Sequence, residues 1–270
     1  MPELPEVETS RRGIAPWIVD RKITAVTIRD RRLRWPVPRG LEARLVGRSI
    51  DSVGRRAKYL LINTDAGTAI LHLGMTGSVF IVDRGTPAGI HDHFDIDFDS
   101  GKALRFRDPR RFGSLFFSKR PLEHPLLANL GPEPLGDDFD GDYLWRRSRN
   151  RRVSVKQFIM NAGIVVGVGN IYASESLFLA GINPKRAAGR ISRQRYAALA
   201  EAIRDVLARS IEAGGTTLRD FYGGDGKPGY FRHKLEVYDR AGEHCRQCDT
   251  VIRSIVQGQR TTYYCKTCQT

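Results

Sequence analysis

Phe94-Asp-Ile-Asp-Phe-Asp-Ser-Gly-Lys-Ala-Leu-Arg-Phe106 carries the clearest two-residue period in the chain. Phe94, Ile96 and Phe98 alternate with Asp95, Asp97 and Asp99, the period of two that a half-buried strand requires. Asp-Ser-Gly-Lys at 99–102 reads as a turn, and Leu104 and Phe106 resume the alternation, so the segment is a hairpin with one apolar face. Moving outward, the apolar runs Ala69–Leu73 and Val79–Val82 flank a glycine-bounded turn, Gly74-Met-Thr-Gly77. The same period extends from about residue 22 to 118. Short antiparallel strands with this punctuation predict a β-sandwich.

The flanks are helical. Residues 3–18 open with Pro and Glu and place Val7, Ile14, Trp17 and Ile18 on one face, which predicts a helix. Leu130-Gly-Pro-Glu-Pro-Leu135 breaks both periods and reads as a linker. Beyond it, helical spacing predicts helices at 151–163, 171–180 and 192–213, the last ended by Gly214-Gly215. Phe221–Tyr230 is too rich in glycine for a regular element. Val251–Val256 and Thr261–Tyr264 read as two short strands joined through Gln257-Gly258. The expected class is α+β and multidomain: a helix plus antiparallel sandwich (1–130), a helical domain with a glycine-rich loop (131–232) and a C-terminal hairpin (233–270).

Composition narrows the partners. The 270 residues hold 44 Lys plus Arg against 30 acids, a formal charge of +14. Such an excess points to nucleic acid or to an anionic membrane surface. No apolar run approaches the ~20 residues of a spanning helix. The first residues, MPELPEVETS, also lack a basic-then-apolar signal sequence, so a cytoplasmic location is expected. Cys245, Cys248, Cys265 and Cys268 form C-x2-C-x16-C-x2-C at the end of a chain with no other cysteine. In a reduced compartment that spacing is a closed, tetrahedral, structural zinc site, with two disulfides as the reading for a secreted tail. A tail of ~35 residues buries too little apolar surface to fold without such a staple.

Several residues could carry chemistry. Removal of Met1 would expose Pro2 as a secondary amine, with an α-amino pKa near ~8 rather than the ~10.4 of lysine. Attack on a sugar C1′ by such an amine gives a cationic iminium, an electron sink for elimination. The plainer reading is that Pro2 opens a helix and that Glu3, Glu6 and Glu8 complement its dipole. Arg146, Arg147, Arg149, Arg151, Arg152 and Lys156 form a run without an acid, which reads as part of a nucleic-acid track or as a solvated face. Gly167-Val-Gly169 lacks the third glycine and the preceding strand of a dinucleotide motif. It fits a tight turn that presents helix N–H groups to phosphate. His91 and His93 have no third ligand nearby, so a phosphate role is more economical than a metal.

The ordered set of motifs resembles the formamidopyrimidine-DNA glycosylase family. The resemblance lies in Met1-Pro-Glu-Leu-Pro-Glu-Val-Glu-Thr9, Arg55-Arg-Ala-Lys58-Tyr-Leu-Leu61, His72-Leu-Gly-Met75-Thr-Gly77 and His91-Asp-His93. It continues through Asp108-Pro-Arg110-Arg-Phe-Gly113, Leu130-Gly-Pro-Glu-Pro134, Gly167-Val-Gly-Asn170-Ile-Tyr-Ala-Ser-Glu175, Gly226-Lys-Pro-Gly-Tyr230 and the cysteine pairs. It implies a helix–two-turn–helix in the middle domain, a zinc-finger hairpin, and DNA in a basic cleft between domains. The implied activity is excision of oxidised purines (8-oxoguanine, formamidopyrimidines) followed by β,δ-elimination at the abasic site. Pro2 would then be the Schiff-base nucleophile, Glu3 the acid at the deoxyribose ring, Lys58 the residue serving β-elimination and Arg260 the one assisting loss of the second phosphate. His91, Arg110, Arg151, Lys156 and Asn170 would hold backbone phosphates. Met75, Arg110 and Phe112 would fill the stack after base extrusion. The partner is double-stranded DNA with oxidised purines or abasic sites, bound by a monomer in the cytoplasm at the nucleoid. The alternatives are an endonuclease VIII-like enzyme for oxidised pyrimidines, which Leu4 and the Met75/Arg110/Phe112 set disfavour, and a non-catalytic damage binder, which needs none of Pro2, Glu3 and Lys58.

Overall fold

The computed structural model describes residues 2–215 and 235–270. The glycine-rich 221–230 segment lies outside them. The described residues form two compact units, one from 2–128 with 213–215, the other from 129–212 with 235–270.

The first unit contains α1 (Leu4–Ile18), β1 (Ile23–Ile28), α2 (Leu41–Leu45), β2 (Ile50–Arg56), β3 (Tyr59–Thr64) and β4 (Gly67–His72). It continues with β5 (Ser78–Asp83), β6 (Asp92–Phe98), β7 (Lys102–Arg107) and β8 (Ser114–Ser118). Two antiparallel four-stranded sheets result, with orders β1-β6-β7-β5 and β2-β3-β4-β8. Their inner faces share one core, in which Phe94, Ile96, Phe98, Leu104 and Phe106 meet Leu60, Ile62 and Leu71. The α1 face of Val7, Ile14 and Ile18 joins that core. This helix touches β2 and β5, an edge strand of each sheet, and so covers backbone that would otherwise stand unpaired.

Three details extend or depart from the sequence reading. The turn between the runs at 69–73 and 79–82, which the sequence left without a topology, is a crossing: β4 belongs to one sheet and β5 to the other, so the chain passes across the sandwich at Gly74–Gly77. Gly74 adopts φ +71, and a Cβ there would lie 2.4 Å from the Phe112 carbonyl carbon, so only glycine fits this crossing. The outward aspartates are not simply solvated. Asp95 and Asp92 are buried because they stand opposite Arg105 and Arg107 in the ladder and pair with them across the strands. Trp17 is half exposed rather than buried, and Lys102 Nζ lies 5.6 Å from its ring centroid.

The second unit is helical, with α3 (Gly141–Ser148), α4 (Val155–Ile159), α5 (Asn170–Leu179) and α6 (Arg193–Glu212), followed by the hairpin β9 (Arg253–Gln257) and β10 (Arg260–Tyr264). Asp140 caps α3 by accepting the Tyr143 N–H at 2.6 Å, a helix that the basic run concealed. The helix expected over 151–163 shrinks to 155–159. Ser154 caps it, and the Asn161 side chain accepts the Gly163 N–H to open an irregular turn toward Gly167 at φ +81. Beneath α5, the buried Glu175 carboxylate accepts the N–H groups of Glu236, Val237 and Tyr238, and burial pushes its pKa up. Among the described residues no helix is long and apolar enough to cross a membrane.

Candidate active site

Strand register gathers the candidate residues of the sandwich at one of its ends. Arg11 of α1 donates to the Val53 carbonyl, and Glu8, one turn earlier in the helix, accepts from Arg55, two residues later in β2. As α1 is followed back toward Pro2, β2 therefore advances toward Lys58. From that Glu8–Arg55 contact, six residues at helical rise lead back to Pro2 over about 9 Å, and three residues at strand rise lead on to Lys58 over about 10 Å, so the two paths keep pace. Arg56 pairs with Tyr59, which leaves Ala57-Lys58 as the two-residue tip of the hairpin, with Ala57 at φ +54. Tyr59 pairs with His72, and His72 pairs with Ser114, so the 74–77 crossing and the 108–113 loop emerge at that same end. Ser78 and Asp92 both face Arg107, which adds His91. Pro2, Glu3, Lys58, Met75, His91, Arg110 and Phe112 thus converge although they come from five separate segments.

At the N-terminus, Pro2 is buried in the non-helical segment before α1. Glu3 is the N-cap and is 1% exposed; its N–H donates to Glu6 Oε2 at 2.9 Å. The chain returns here at Gly215, where a Cβ would stand 3.2 Å from Glu6 Oε1.

Two buried polar groups at this end of the sandwich escaped the sequence reading. Asp108 is fully buried. Its carboxylate accepts from Thr76 Oγ1 (2.6 Å), the Arg110 N–H (3.2 Å) and the Gly113 N–H (2.8 Å). His93 Nε2 meets the Asp108 carbonyl at 2.7 Å, so His93 is structural while His91 is exposed. One carboxylate therefore locks the Met75 loop to the Arg110–Phe112 loop, where the Arg110 guanidinium lies 4.7 Å from the Phe112 ring centroid. The second group is His72. Burial, reinforced by the charges of Lys58 and Arg34, lowers its pKa to about 4. The ring is therefore neutral near pH 7. Its Nδ1 accepts the Gly74 N–H at 3.0 Å, which leaves Nε2 protonated and able to donate. Asp directly before Pro, and His closing a strand beside a glycine turn, were the available signals.

In the helical unit, Asn170 begins α5, and its Nδ2 donates to the Thr261 carbonyl at 2.9 Å. Lys156 departs from the expectation of a phosphate ligand. It is 1% exposed, and its Nζ donates to Asn170 Oδ1 (2.6 Å) and Thr262 Oγ1 (2.8 Å), tying α4 and α5 to β10. Arg260 is exposed at the start of β10, beside that junction. The basic run divides. Arg146, Arg147, Arg151 and Arg152 are exposed, whereas Arg149 is engaged with the Trp145 and Ile191 carbonyls. Arg147 and Arg151 line a recess of about 150 Å³.

The sulfurs of Cys245, Cys248, Cys265 and Cys268 all lie within 4.8 Å of one another. Cys245 and Cys268 are 3.8 Å apart and Cys248 and Cys265 3.4 Å. Four sulfurs at zinc–thiolate distance in a tetrahedron would be about 3.8 Å apart, so the set fits one structural zinc and leaves no open position for water. Phe178 of α5 packs on Cys245 and Cys265, so the hairpin shares its apolar support with the helical unit.

Comparison with known proteins agrees in chain order. Residues 1–115 match the formamidopyrimidine-DNA glycosylase N-terminal domain, 130–222 its H2TH domain, and 242–270 the zinc finger found in FPG and IleRS. Fold and site together define a zinc-finger, helix–two-turn–helix DNA glycosylase. The chain belongs to the formamidopyrimidine-DNA glycosylase (Fpg) family. It is 61% identical to the Fpg of Stutzerimonas stutzeri and 59% identical to that of Pseudomonas aeruginosa, over 269 residues and all of each chain. Its structure resembles a Lactococcus lactis Fpg variant in complex with Fapy-dG-containing DNA (TM-score 0.92, 31% identity, 99% of both chains). It also resembles Fpg from Thermus thermophilus (TM-score 0.89, 38% identity, 99% of this chain and 98% of that one).

Proposed function

We propose that the chain excises oxidised purines from duplex DNA and cleaves the resulting abasic site, with Pro2 as nucleophile. The observation that carries this reading is the register that brings the α1 N-terminus and the Lys58 turn to one end of the sandwich. With Met1 removed, the Pro2 nitrogen attacks C1′, the glycosidic bond breaks and the base leaves with its electron pair. The Glu3 carboxyl protonates the ring oxygen as the sugar opens. In the iminium, the C2′ proton leaves and its bond pair expels the 3′-phosphate, a step served by Lys58; Arg260 assists the second loss, at the 5′-phosphate. His91, Arg110, Arg151 and Asn170 hold backbone phosphates, with Lys156 setting the Asn170 amide. Met75, Arg110 and Phe112 fill the stack left by the extruded nucleotide. Bound to the four cysteines, zinc would stiffen the hairpin that carries Arg260. We further propose three functional parts, 1–130, 131–232 and 233–270, acting as a monomer in the cytoplasm at the nucleoid.

Single-turnover assays on duplexes with one defined lesion test this. Formamidopyrimidine and 8-oxoguanine opposite cytosine should be excised faster than thymine glycol, with the sugar lost and a phosphate left on each strand end. Faster processing of thymine glycol would assign the chain to oxidised pyrimidines instead.

A further inference from the structure

Glu8 lies on α1 six residues after Pro2 and is 8% exposed. Its carboxylate accepts from Arg11 (Nε 3.0 Å, Nη2 2.8 Å), Arg12 (Nε 2.9 Å) and Arg55 (Nε 3.2 Å). Arg55 does not stop there. Its Nη1 donates to the Ala57 carbonyl at 2.9 Å, the residue whose positive φ forms the turn and which immediately precedes Lys58. A continuous polar path therefore runs from the nucleophile's helix to the elimination lysine's turn: Glu8 carboxylate, Arg55 guanidinium, Ala57 carbonyl. Simple anchoring of α1 on β2 is already provided by Arg11, which donates to the Val53 carbonyl. The planar guanidinium fork suits the path because it holds two acceptors in fixed relative directions, which an ammonium does not.

We propose that Glu8 and Arg55 form a strap that positions the Lys58 turn against the Pro2 end of α1, so that it governs elimination rather than imine formation. The proposal rests on the roles assigned above to Pro2 and Lys58. Pro2 lies two residues before the first turn of α1, joined to it through the Glu3 cap, and needs no strap to attack C1′. Lys58 stands on a two-residue tip, where a small rotation moves its amino group away from the C2′ proton and the departing 3′-phosphate. Burial alone would raise the Glu8 pKa, but the hydrogen bonds of Arg11 and Arg12 and the charges of Arg11 and Arg55 hold it down to about 2. The strap consequently stays charged across the working range of pH.

The test uses the full-length protein and duplex DNA with a preformed abasic site. Borohydride trapping reads imine formation, and strand cleavage without borohydride reads elimination. Arg55→Lys keeps the charge and loses the fork. It should change the trapping rate by less than about twofold while slowing cleavage about tenfold, the scale of a misplaced catalytic group. Glu8→Gln should act in the same direction, and the double variant should be no slower than the slower single one. Arg12→Ala, which removes a donor to Glu8 that does not reach β2, should leave the ratio of the two rates unchanged. If trapping and cleavage fall together in Arg55→Lys and Glu8→Gln, or neither changes, the strap is overturned as a positioning device. Wild-type protein that cleaves without any trappable adduct would instead overturn the Pro2 reading on which the strap rests.

Discussion

The two units place their candidate residues by different means. In the sandwich, strand register delivers Lys58, Met75, His91 and Phe112 to one end through backbone pairing, and one buried carboxylate, Asp108, locks two of the loops together. In the helical unit, side chains do the placing. Lys156 and Asn170 bond to β10, and four cysteines brace the hairpin that carries Arg260. Register is insensitive to single side chains, whereas a side-chain junction fails when one member is lost. On the proposed roles, imine formation and first elimination at Pro2 and Lys58 should therefore separate from DNA affinity at Arg151 and Asn170 under mutation and under changes of condition.

The largest effect expected is on stability and touches only the sandwich. His72 has a folded pKa of about 4 against an ordinary 6.5. Below pH 6.5 the unfolded chain takes up a proton that the folded one refuses until about pH 4, so stability is complete above pH 6.5 and falls as pH drops to 4. The full shift corresponds to about 3 kcal/mol. In a Trp145→Phe background the remaining tryptophans, Trp17 and Trp35, report the sandwich alone. Urea midpoints from their fluorescence should fall across that window, with a shallower fall in His72→Phe. Equal slopes would remove His72 as the cause.

Next in size is the metal. Cys248→Ser, or chelation, should weaken binding to abasic-site duplex about 100-fold, the worth of two charge-assisted hydrogen bonds at about 1.5 kcal/mol each. The urea midpoint of the sandwich should not move. Normal DNA affinity in the zinc-free protein would separate the hairpin from the DNA surface.

A smaller, more selective effect is expected at the Asp108 junction. Extruding a nucleotide costs a few kcal/mol of stacking and pairing, which the wedge offsets only in duplex. Phe112→Ala and Asp108→Asn should each slow excision of 8-oxoguanine from duplex about tenfold, and should slow cleavage of a preformed abasic site much less. Equal losses on the two substrates would show that these residues only support the fold. Smallest of all, Arg151→Ala should weaken binding a few-fold and reduce the slope of log affinity against log salt by about 0.9, one phosphate contact. An unchanged slope would take Arg151 off the DNA track.

Much of this arrangement is legible in the sequence. Alternation around Phe94–Phe106 reads as a strand pair because period two is a local property, and the cysteine spacing reads as a metal site because ligand geometry is also local. What escaped depends on distant partners. Whether Ala69–Leu73 pairs with Val79–Val82 or crosses to the other sheet is set by β3, β7 and β8, which the turn itself does not encode. Asp95 looks like a solvated residue until Arg105 stands opposite it. Lys156 looks like any lysine in a basic run, yet its ammonium is buried by a hairpin more than a hundred residues later. The α4 helix is short because Ser154 restarts the chain and Asn161 ends the helical path, two polar caps that a count of apolar spacing passes over.

The proposed chemistry at the sandwich end depends on the N-terminal amine. Its most direct test is borohydride reduction during turnover on 8-oxoguanine duplex, followed by peptide mapping of the cross-linked protein. The adduct should map to Pro2, and a form retaining Met1 should give no adduct, because an amide nitrogen is not nucleophilic. An adduct on Lys58, or undiminished trapping by the form that keeps Met1, would exclude Pro2 as the nucleophile.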